Sequence, residues 1–326
     1  MDFLSADSLP WLHSAQQRMR AAFAAQRLPH SLLLLSPPGL GAEQLANWIT
    51  ALALCDSRGS RPCGVCASCQ LLRSDSHPDS YIVRLEEDAH QIKIDQVRGL
   101  IESLSLKSYR GGYKVGVIEG AELLNANGAN AFLKTLEEPT QNTVLVLIAR
   151  PTHRLPATIA SRCLRLTLST PPTEAAIAWL NANAHGPQWG AALALAGGAP
   201  LLAVELDSAG AAVLDAEMQD SLRRLAAGSV DVTLLAERWM QLGPGLRIAW
   251  LENWITQRVR EWIGAGTSRQ SAEPVRLPAA LLKPKIRALF ELLDAARELR
   301  RLATTGMNQQ LALEALLLGG RAALAT

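Results

Sequence analysis

The stretch "SLLLLSPPGLGAEQLANWITALAL" (residues 31–54) decides the fold. An apolar run of strand length leads through a turn of prolines and glycines into a segment whose Leu45, Trp48, Ile49 and Leu52 share one helical face. A buried strand that feeds a helix in this way is the unit from which parallel α/β sheets are built. Its loop, "SPPGLGAE" (36–43), stands where a phosphate-binding loop stands. Such a loop reads GxxxxGK[ST]: backbone amides cradle phosphates, the lysine meets the terminal phosphates, and the hydroxyl holds magnesium. Ser36, Gly39 and Gly41 keep the outline of the turn, but Ala42 and Glu43 occupy the lysine and hydroxyl positions. Ala42 removes the compact positive charge. Glu43 puts a carboxylate in the first helical turn, favoured by about 0.3–1 kcal/mol where an anionic ligand would otherwise be stabilised. The loop reads as a strand-to-helix turn that has lost its ligand.

Working outward, "YIVRL" (81–85), "KVGVIE" (114–119) and "TVLVLIA" (143–149) are further strand candidates. Between them lie "DQVRGLIESLSL", with Val97, Leu100, Ile101 and Leu104 at helical spacing, and "NGANAFLKTLEE", which Pro139 stops. Strands alternating with helices of this length predict βαβ units and a parallel sheet through about residue 168. Pro171 and Pro172 mark a boundary, after which only helical patterns occur. A small helical unit is expected over 169–208, broken at "AGGAP", whose glycines and proline read as a helix C-cap and turn. A larger all-helical region is expected over 209–326. Its polar stretch "GAGTSRQSAEPVR" reads as an exposed loop. Its last helix, "NQQLALEALLLGG", is apolar enough to require burial in the bundle or against another chain.

The chain of 326 residues balances 32 basic against 30 acidic side chains, a net charge of +2. That excludes the global positive field of a dedicated nucleic-acid binder, so any DNA contact is local or shared with partners. No uncharged run of about 18 apolar residues occurs, and "MDFLSADSLPWLHSAQQ" lacks the basic and apolar regions of a signal peptide. No membrane association is expected. The chain reads as soluble and cytosolic.

Four of the five cysteines, Cys55, Cys63, Cys66 and Cys69, fall within fifteen residues, as "CDSRGSRPCGVCASC". In a reducing compartment this spacing, Cx7CxxCxxC, favours thiolates converging on one tetrahedral zinc ion over disulfides. Four soft ligands close the coordination sphere, so the predicted role is structural. A redox CxxC or an Fe–S site is the alternative reading, since part of the spacing overlaps with ferredoxin patterns. His77 and Asp79, in "HPD", are predicted to cap a loop rather than bind metal. Lys134, Glu137 and Glu138 lie at i, i+3 and i+4 spacing, and ordinary pairing along the helix explains them.

The order of these motifs resembles the bacterial clamp-loader subunits of the AAA+ family. The altered P-loop, the four cysteines, "HPD" (77–79), "NAFLKTLEEP" (130–139) and "SRC" (Ser161, Arg162, Cys163) follow one another as they do there, and the resemblance runs from "PW" (10–11) to "TTGMNQQLALEALLL". It implies a P-loop-type α/β sheet domain over 1–168 with an inserted zinc module at about 55–80. It also implies a small helical lid domain over 169–208 and an all-α collar over 209–326. In active family members the strand matching "KVGVIE" ends in an acidic pair that supports magnesium and activates water. Here those positions are Glu119 and Gly120, so no base is set to polarise a water. The sensor position after "VLVLIA" holds Ala149 and Arg150. By resemblance, then, this chain binds no ATP of its own.

The intact "SRC" implies the opposite for Arg162. In the family this residue is an arginine finger that completes the ATP site of a neighbouring subunit, a task suited to a permanently charged, forked guanidinium. Cys163 reads as a buried small side chain. The implied assembly is the clamp loader of the DNA polymerase III holoenzyme, a hetero-oligomer with gamma/tau and delta subunits in the cytoplasm at the nucleoid. It acts on the sliding clamp and primer-template DNA during replication. Two other readings compete: an active ATPase with an unusual loop, opposed by Ala42, Glu43 and Gly120, and a zinc-dependent nucleic-acid-binding module. The knuckle itself offers the latter only Arg58 and Arg61 and no aromatic residue for stacking.

Overall fold

The computed structural model describes residues 4–86, 89, 91–151, 155–186, 189–206, 208–264, 279–302 and 308–324. The chain divides into two compact units, Met1–Pro171 and Pro172–Thr326.

In the first unit, two short 3-10 turns (Leu4–Ser8 and Pro10–Leu12) precede α1 (His13–Ala24) and β1 (Ser31–Leu35). Then come α2 (Ala42–Leu54), α3 (Ala67–Arg73), β2 (Ser80–Val83), α4 (Ile94–Ser105), β3 (Lys114–Glu119), α5 (Ala126–Glu137), β4 (Thr143–Ala149), α6 (Ala157–Ala160) and β5 (Leu164–Thr167). Among the described residues the strands form one parallel sheet in the order β2-β3-β4-β1-β5. β4 and β1 lie inside it, and their residues are buried almost throughout. The near-continuous "SLLLL" and "TVLVLIA" follow from that placement, because an interior parallel strand is covered on both faces. Leu33, Leu145 and Leu147 face a core shared with Val97, Leu100 and Leu104 of α4 and Phe132 and Leu136 of α5. By the strand period of two, Leu32 and Leu34 face the other way, and both are fully buried. Each such leucine contributes about 1.5–3 kcal/mol of burial.

Local signals explain the helix boundaries. Asn125 caps α5 by accepting from the Gly128 amide at 2.7 Å, and the Gln96 side chain reaches back to the Lys93 amide at the start of α4, 3.0 Å.

The second unit is helical: α7 (Thr173–Asn183), α8 (Trp189–Leu195), α9 (Pro200–Glu205), α10 (Ser208–Ala226), α11 (Val232–Gln241), α12 (Pro244–Gly264), α13 (Ala279–Leu302) and α14 (Gln309–Leu324). The "AGGAP" turn forms as read. Gly197 and Gly198 take φ of 63° and 85°, the Gly198 amide closes onto the Leu193 carbonyl at 2.8 Å, and Pro200 opens α9. α14 buries Leu313, Leu316 and Leu317 and exposes Leu311 and Leu318. The polar stretch read as a loop lies, from residue 265, outside the described residues, as do residues 304–307 of "TTGMNQQ".

Candidate functional site

The strands are parallel, so the sheet has one carboxyl end and one amino end, and the singled-out residues divide between them. At the carboxyl end, β1 runs into the "SPPGLGAE" loop. Ser36 is buried, its amide donates to the Ala149 carbonyl at 3.0 Å and its hydroxyl to the Pro37 carbonyl at 2.7 Å. The Trp11 indole donates to the Leu40 carbonyl at 2.9 Å. Gly41 caps α2 with φ 84°, and a Cβ there would lie 2.7 Å from Leu9 Cδ1. The turn is thus fastened by the 3-10 segment before α1 and needs glycine at 41 for both conformation and space. Ala42 is buried and Glu43 exposed. At the end of β3, the Glu119 carboxylate accepts from Arg84 Nε at 2.8 Å. Gly120 follows with φ 78° and no carboxylate. Beyond β4, Arg150 Nε lies 3.7 Å from Glu122 Oε1.

At the amino end, α2 delivers Cys55 to a point where Cys63, Cys66 and Cys69 converge, all four sulfurs lying within 4.8 Å of one another. Separations are 3.6 Å for Cys55–Cys63, 3.8 Å for Cys55–Cys66 and 4.0 Å for Cys63–Cys69. A tetrahedral thiolate site with bonds of about 2.3 Å spaces its sulfurs by about 3.8 Å. The donor set therefore fits a single metal ion. Backbone amides support the sulfurs: Ser57 N–H on Cys55, Cys66 N–H on Cys63 and Cys69 N–H on Cys66, each at 3.4 Å. As free thiols the ligands differ. The Val65 and Cys66 amides pull Cys63 down to about 6, whereas burial pushes Cys55 and Cys69 up.

His77 is not among the converging ligands. It is buried, its Nδ1 accepts from the Asp79 amide at 3.1 Å, and its Nε2 therefore carries the proton toward Ser68 Oγ at 3.2 Å. Ser68 passes the chain on to Asp56, hydroxyl to Oδ1 at 3.0 Å and amide to Oδ2 at 3.2 Å. Burial lowers His77 below its ordinary range, against the pull of the Asp79 carboxylate. Burial alone would raise Asp56, but Ser68 and the Arg110 guanidinium, 3.1 Å away, outweigh it and leave the carboxyl low. Asp79, 1 % exposed, accepts from the Tyr109 amide at 2.6 Å, the Arg110 amide at 3.0 Å and the Ser108 hydroxyl at 3.1 Å. "HPD" caps a loop, as the sequence suggests. The loop is 106–113, entering β3.

"SRC" also lies at the amino end, immediately before β5. Leu32 is level with Leu164 in the register, and Leu168 N–H meets the Leu35 carbonyl at 2.8 Å. Arg162, six residues before Leu168, is therefore about 20 Å along the sheet from the P-loop turn. Its Nε donates to Glu137 Oε1 at 2.7 Å, its Nη2 pairs with the same oxygen, and its Nη1 donates to the Thr158 carbonyl at 2.9 Å. The partner found for Glu137 is thus Arg162 across the fold, where pairing along the helix was expected. Ser161 Oγ donates to the Thr158 carbonyl at 3.1 Å. Cys163 is buried, as read, and burial pushes its thiol up to about 11.

Comparison with known proteins places this architecture. A sequence model of the family described as "DNA polymerase III, delta subunit" matches residues 11–172, ending at the boundary between the two units. The DNA polymerase III subunit delta' of Yersinia pestis is 32% identical over 97% of this chain and 96% of its own length. That of Escherichia coli K12 is 31% identical over 95% and 94%. The chain belongs to the DNA polymerase III delta' family. The delta' subunit of Pseudomonas aeruginosa is 36% identical over 76% of each chain.

Within this delta' family chain, sequence reasoning missed two things. It did not find the partner of Asp79, although a buried aspartate directly before a strand was a signal that some adjoining loop needed an acceptor. Nor did it see that Phe23 and Tyr113 border the cysteine module: the Arg61 guanidinium carbon lies over the Phe23 ring, 4.8 Å from its centroid, which is 6.0 Å from that of Tyr113. No local pattern carries that second fact.

Proposed function

We propose that this chain is a clamp-loader subunit that neither binds nor hydrolyses ATP itself and that supplies Arg162 to the ATP site of a gamma/tau neighbour. The observation that carries the reading is the separation of the two ends of the sheet. The P-loop end lacks the lysine, the hydroxyl and the base, and Glu119, the one acid at the position of the acidic pair, is engaged by Arg84. Arg162 lies at the other end, too far to serve its own loop and at the edge beside β5. The same reading divides the chain into an AAA+ sheet domain (1–168), a lid (169–208) and a collar (209–326) that joins gamma/tau and delta subunits. The exposed Leu311 and Leu318 of α14 suit such packing. The sliding clamp and primer-template DNA are the substrates of the whole assembly, which works in the cytoplasm. No described helix is long and apolar enough to cross a membrane.

Zinc is the metal proposed for Cys55, Cys63, Cys66 and Cys69. Four sulfurs at tetrahedral separations, with no fifth donor among the described clusters, leave no open position, so the ion's role is to hold the excursion between α2 and β2. Metal analysis of the purified chain checks this, with one zinc per chain expected; a folded chain without metal removes the proposal.

The finger is tested by reconstituting the loader with Arg162→Ala. ATP hydrolysis stimulated by DNA and clamp should fall at the site the arginine faces while the complex still assembles. Unchanged hydrolysis removes the role. The Glu137 ion pair favours a second reading, in which Arg162 only ties α5 to the start of β5. That reading expects Arg162→Ala and Glu137→Gln to act alike, each changing stability by about 0–1 kcal/mol and leaving turnover intact.

A further inference from the structure

The amino end of the sheet carries, beside Cys55, a face to which the finger and the metal give no role. A cavity of about 400 Å³ opens beside the cysteine module, and Phe23, Arg61, Asp56, Arg110 and Tyr113 are among its lining residues. The Arg61 guanidinium carbon lies over the Phe23 ring, 4.8 Å from its centroid, and its Nε is anchored on the Ser57 carbonyl at 2.6 Å. Its cation is thus held in place from two sides. Tyr109 projects from the neighbouring loop with 83 % of its surface exposed. That exposure is not slackness, because the Tyr109 amide is bound to the buried Asp79 and the flanking Ser108 and Arg110 share the same carboxylate. The loop also carries Lys107, and the knuckle carries Arg58. Across residues 55–69 and 106–113 the basic side chains are Arg58, Arg61, Lys107 and Arg110, and the only acidic one is Asp56, already engaged by Ser68 and Arg110.

We propose that this face binds single-stranded DNA, with bases stacking on Tyr109 and on the Arg61–Tyr113 side of the cavity and phosphates meeting Arg61 and Lys107. Aromatic and guanidinium platforms interleaved with cations are the means by which proteins hold unpaired strands without reading their sequence. The knuckle alone lacked an aromatic residue; the fold supplies Phe23, Tyr109 and Tyr113 from two other segments. The contact is independent of Arg162, being made by this chain itself.

The test is fluorescence anisotropy of a labelled oligothymidine of about 15 nucleotides with the purified, metal-loaded full chain. Binding is expected at low salt and should weaken steeply as salt rises. Tyr109→Ser should weaken it by about tenfold, in line with the loss of one stacked base. Arg61→Gln with Lys107→Gln should weaken it further and flatten the salt dependence. Tyr109 and Lys107 are exposed, and unchanged thermal melts establish that the fold survives in each variant. The proposal is overturned if the chain does not bind the oligonucleotide, if the variants bind as tightly as the parent, or if a duplex of equal length binds equally well. It is also overturned if the variants impair only assembly with the other loader subunits, which would make this a protein-docking face.

Discussion

The two ends of the β-sheet are organised in opposite ways. At the carboxyl end, where open α/β sheets ordinarily hold their ligands, the loop keeps the outline of a phosphate-binding turn without its lysine and hydroxyl. Gly41 turns left-handed into α2, and Ala42, Glu43 and Gly120 offer no cation, hydroxyl or second acid of a pair. At the amino end the side chains are densely organised: four cysteines around one point, a hydrogen-bonded line from Asp56 through Ser68 to His77, and a carboxylate that fixes a loop by three donors. The turn has a structural task of its own, because it connects β1 to α2 and packs against Leu9 and Leu12.

The largest expected effect tests the amino end. Arg162→Ala in the assembled loader should lower ATP hydrolysis at the facing site by a factor on the order of 10³, by analogy with fingers supplied in trans to GTPases. A reduction of a few-fold would reduce Arg162 to a positioning residue. Next is Asp79→Ala, which leaves two backbone amides and a hydroxyl without their buried acceptor and should cost about 2–4 kcal/mol in urea unfolding. Proteolysis should then open residues 106–113 first, and an unchanged cleavage pattern would show that the loop is held otherwise. Lys114→Met comes third. Lys114 is buried and its Nζ donates to the Leu106 carbonyl at 2.7 Å and Thr140 Oγ1 at 2.9 Å, besides the Leu104 carbonyl. Losing these donors should destabilise the protein by about 1–3 kcal/mol.

A smaller effect concerns pH. Burial holds His77 below its unfolded value of 6.5, so as pH falls below 6.5 the unfolded chain takes up a proton that the folded chain refuses. Stability should therefore drop from pH 6.5 downward until the folded pKa is reached. In His77→Gln the slope should be shallower by less than one proton, and parallel curves would exclude His77 as its source. The smallest expected change is at the carboxyl end. Ala42→Lys with Glu43→Thr supplies the lysine and hydroxyl of a P-loop, but Gly120 supplies no base, so steady-state turnover should stay at background even where nucleotide is bound. Measurable hydrolysis would break the contrast between the two ends.

Much of this was legible in sequence because it is local. The strand "TVLVLIA" and the helical face of Val97, Leu100 and Leu104 follow from periodicities of two and 3.6. The cysteine cluster follows from spacing within fifteen residues, and the altered P-loop from two adjacent positions. The remainder was not legible, because it depends on pairs whose separation along the chain carries no pattern. Glu137 and Arg162 are 25 residues apart, Asp79 and its loop about 30, and Asp56 and Arg110 54.

The sequence by itself determined a parallel α/β unit followed by helices, four converging thiols and a phosphate loop without its lysine, since each rests on residues close together in the chain. Only the tertiary structure decided that Arg162 and the P-loop turn occupy opposite ends of the sheet, and that Phe23 and Tyr113 line a cavity beside the metal module. The physical reason is the crossover. Each helix returns the chain to the amino end before the next parallel strand begins, so segments remote in sequence are stacked side by side there.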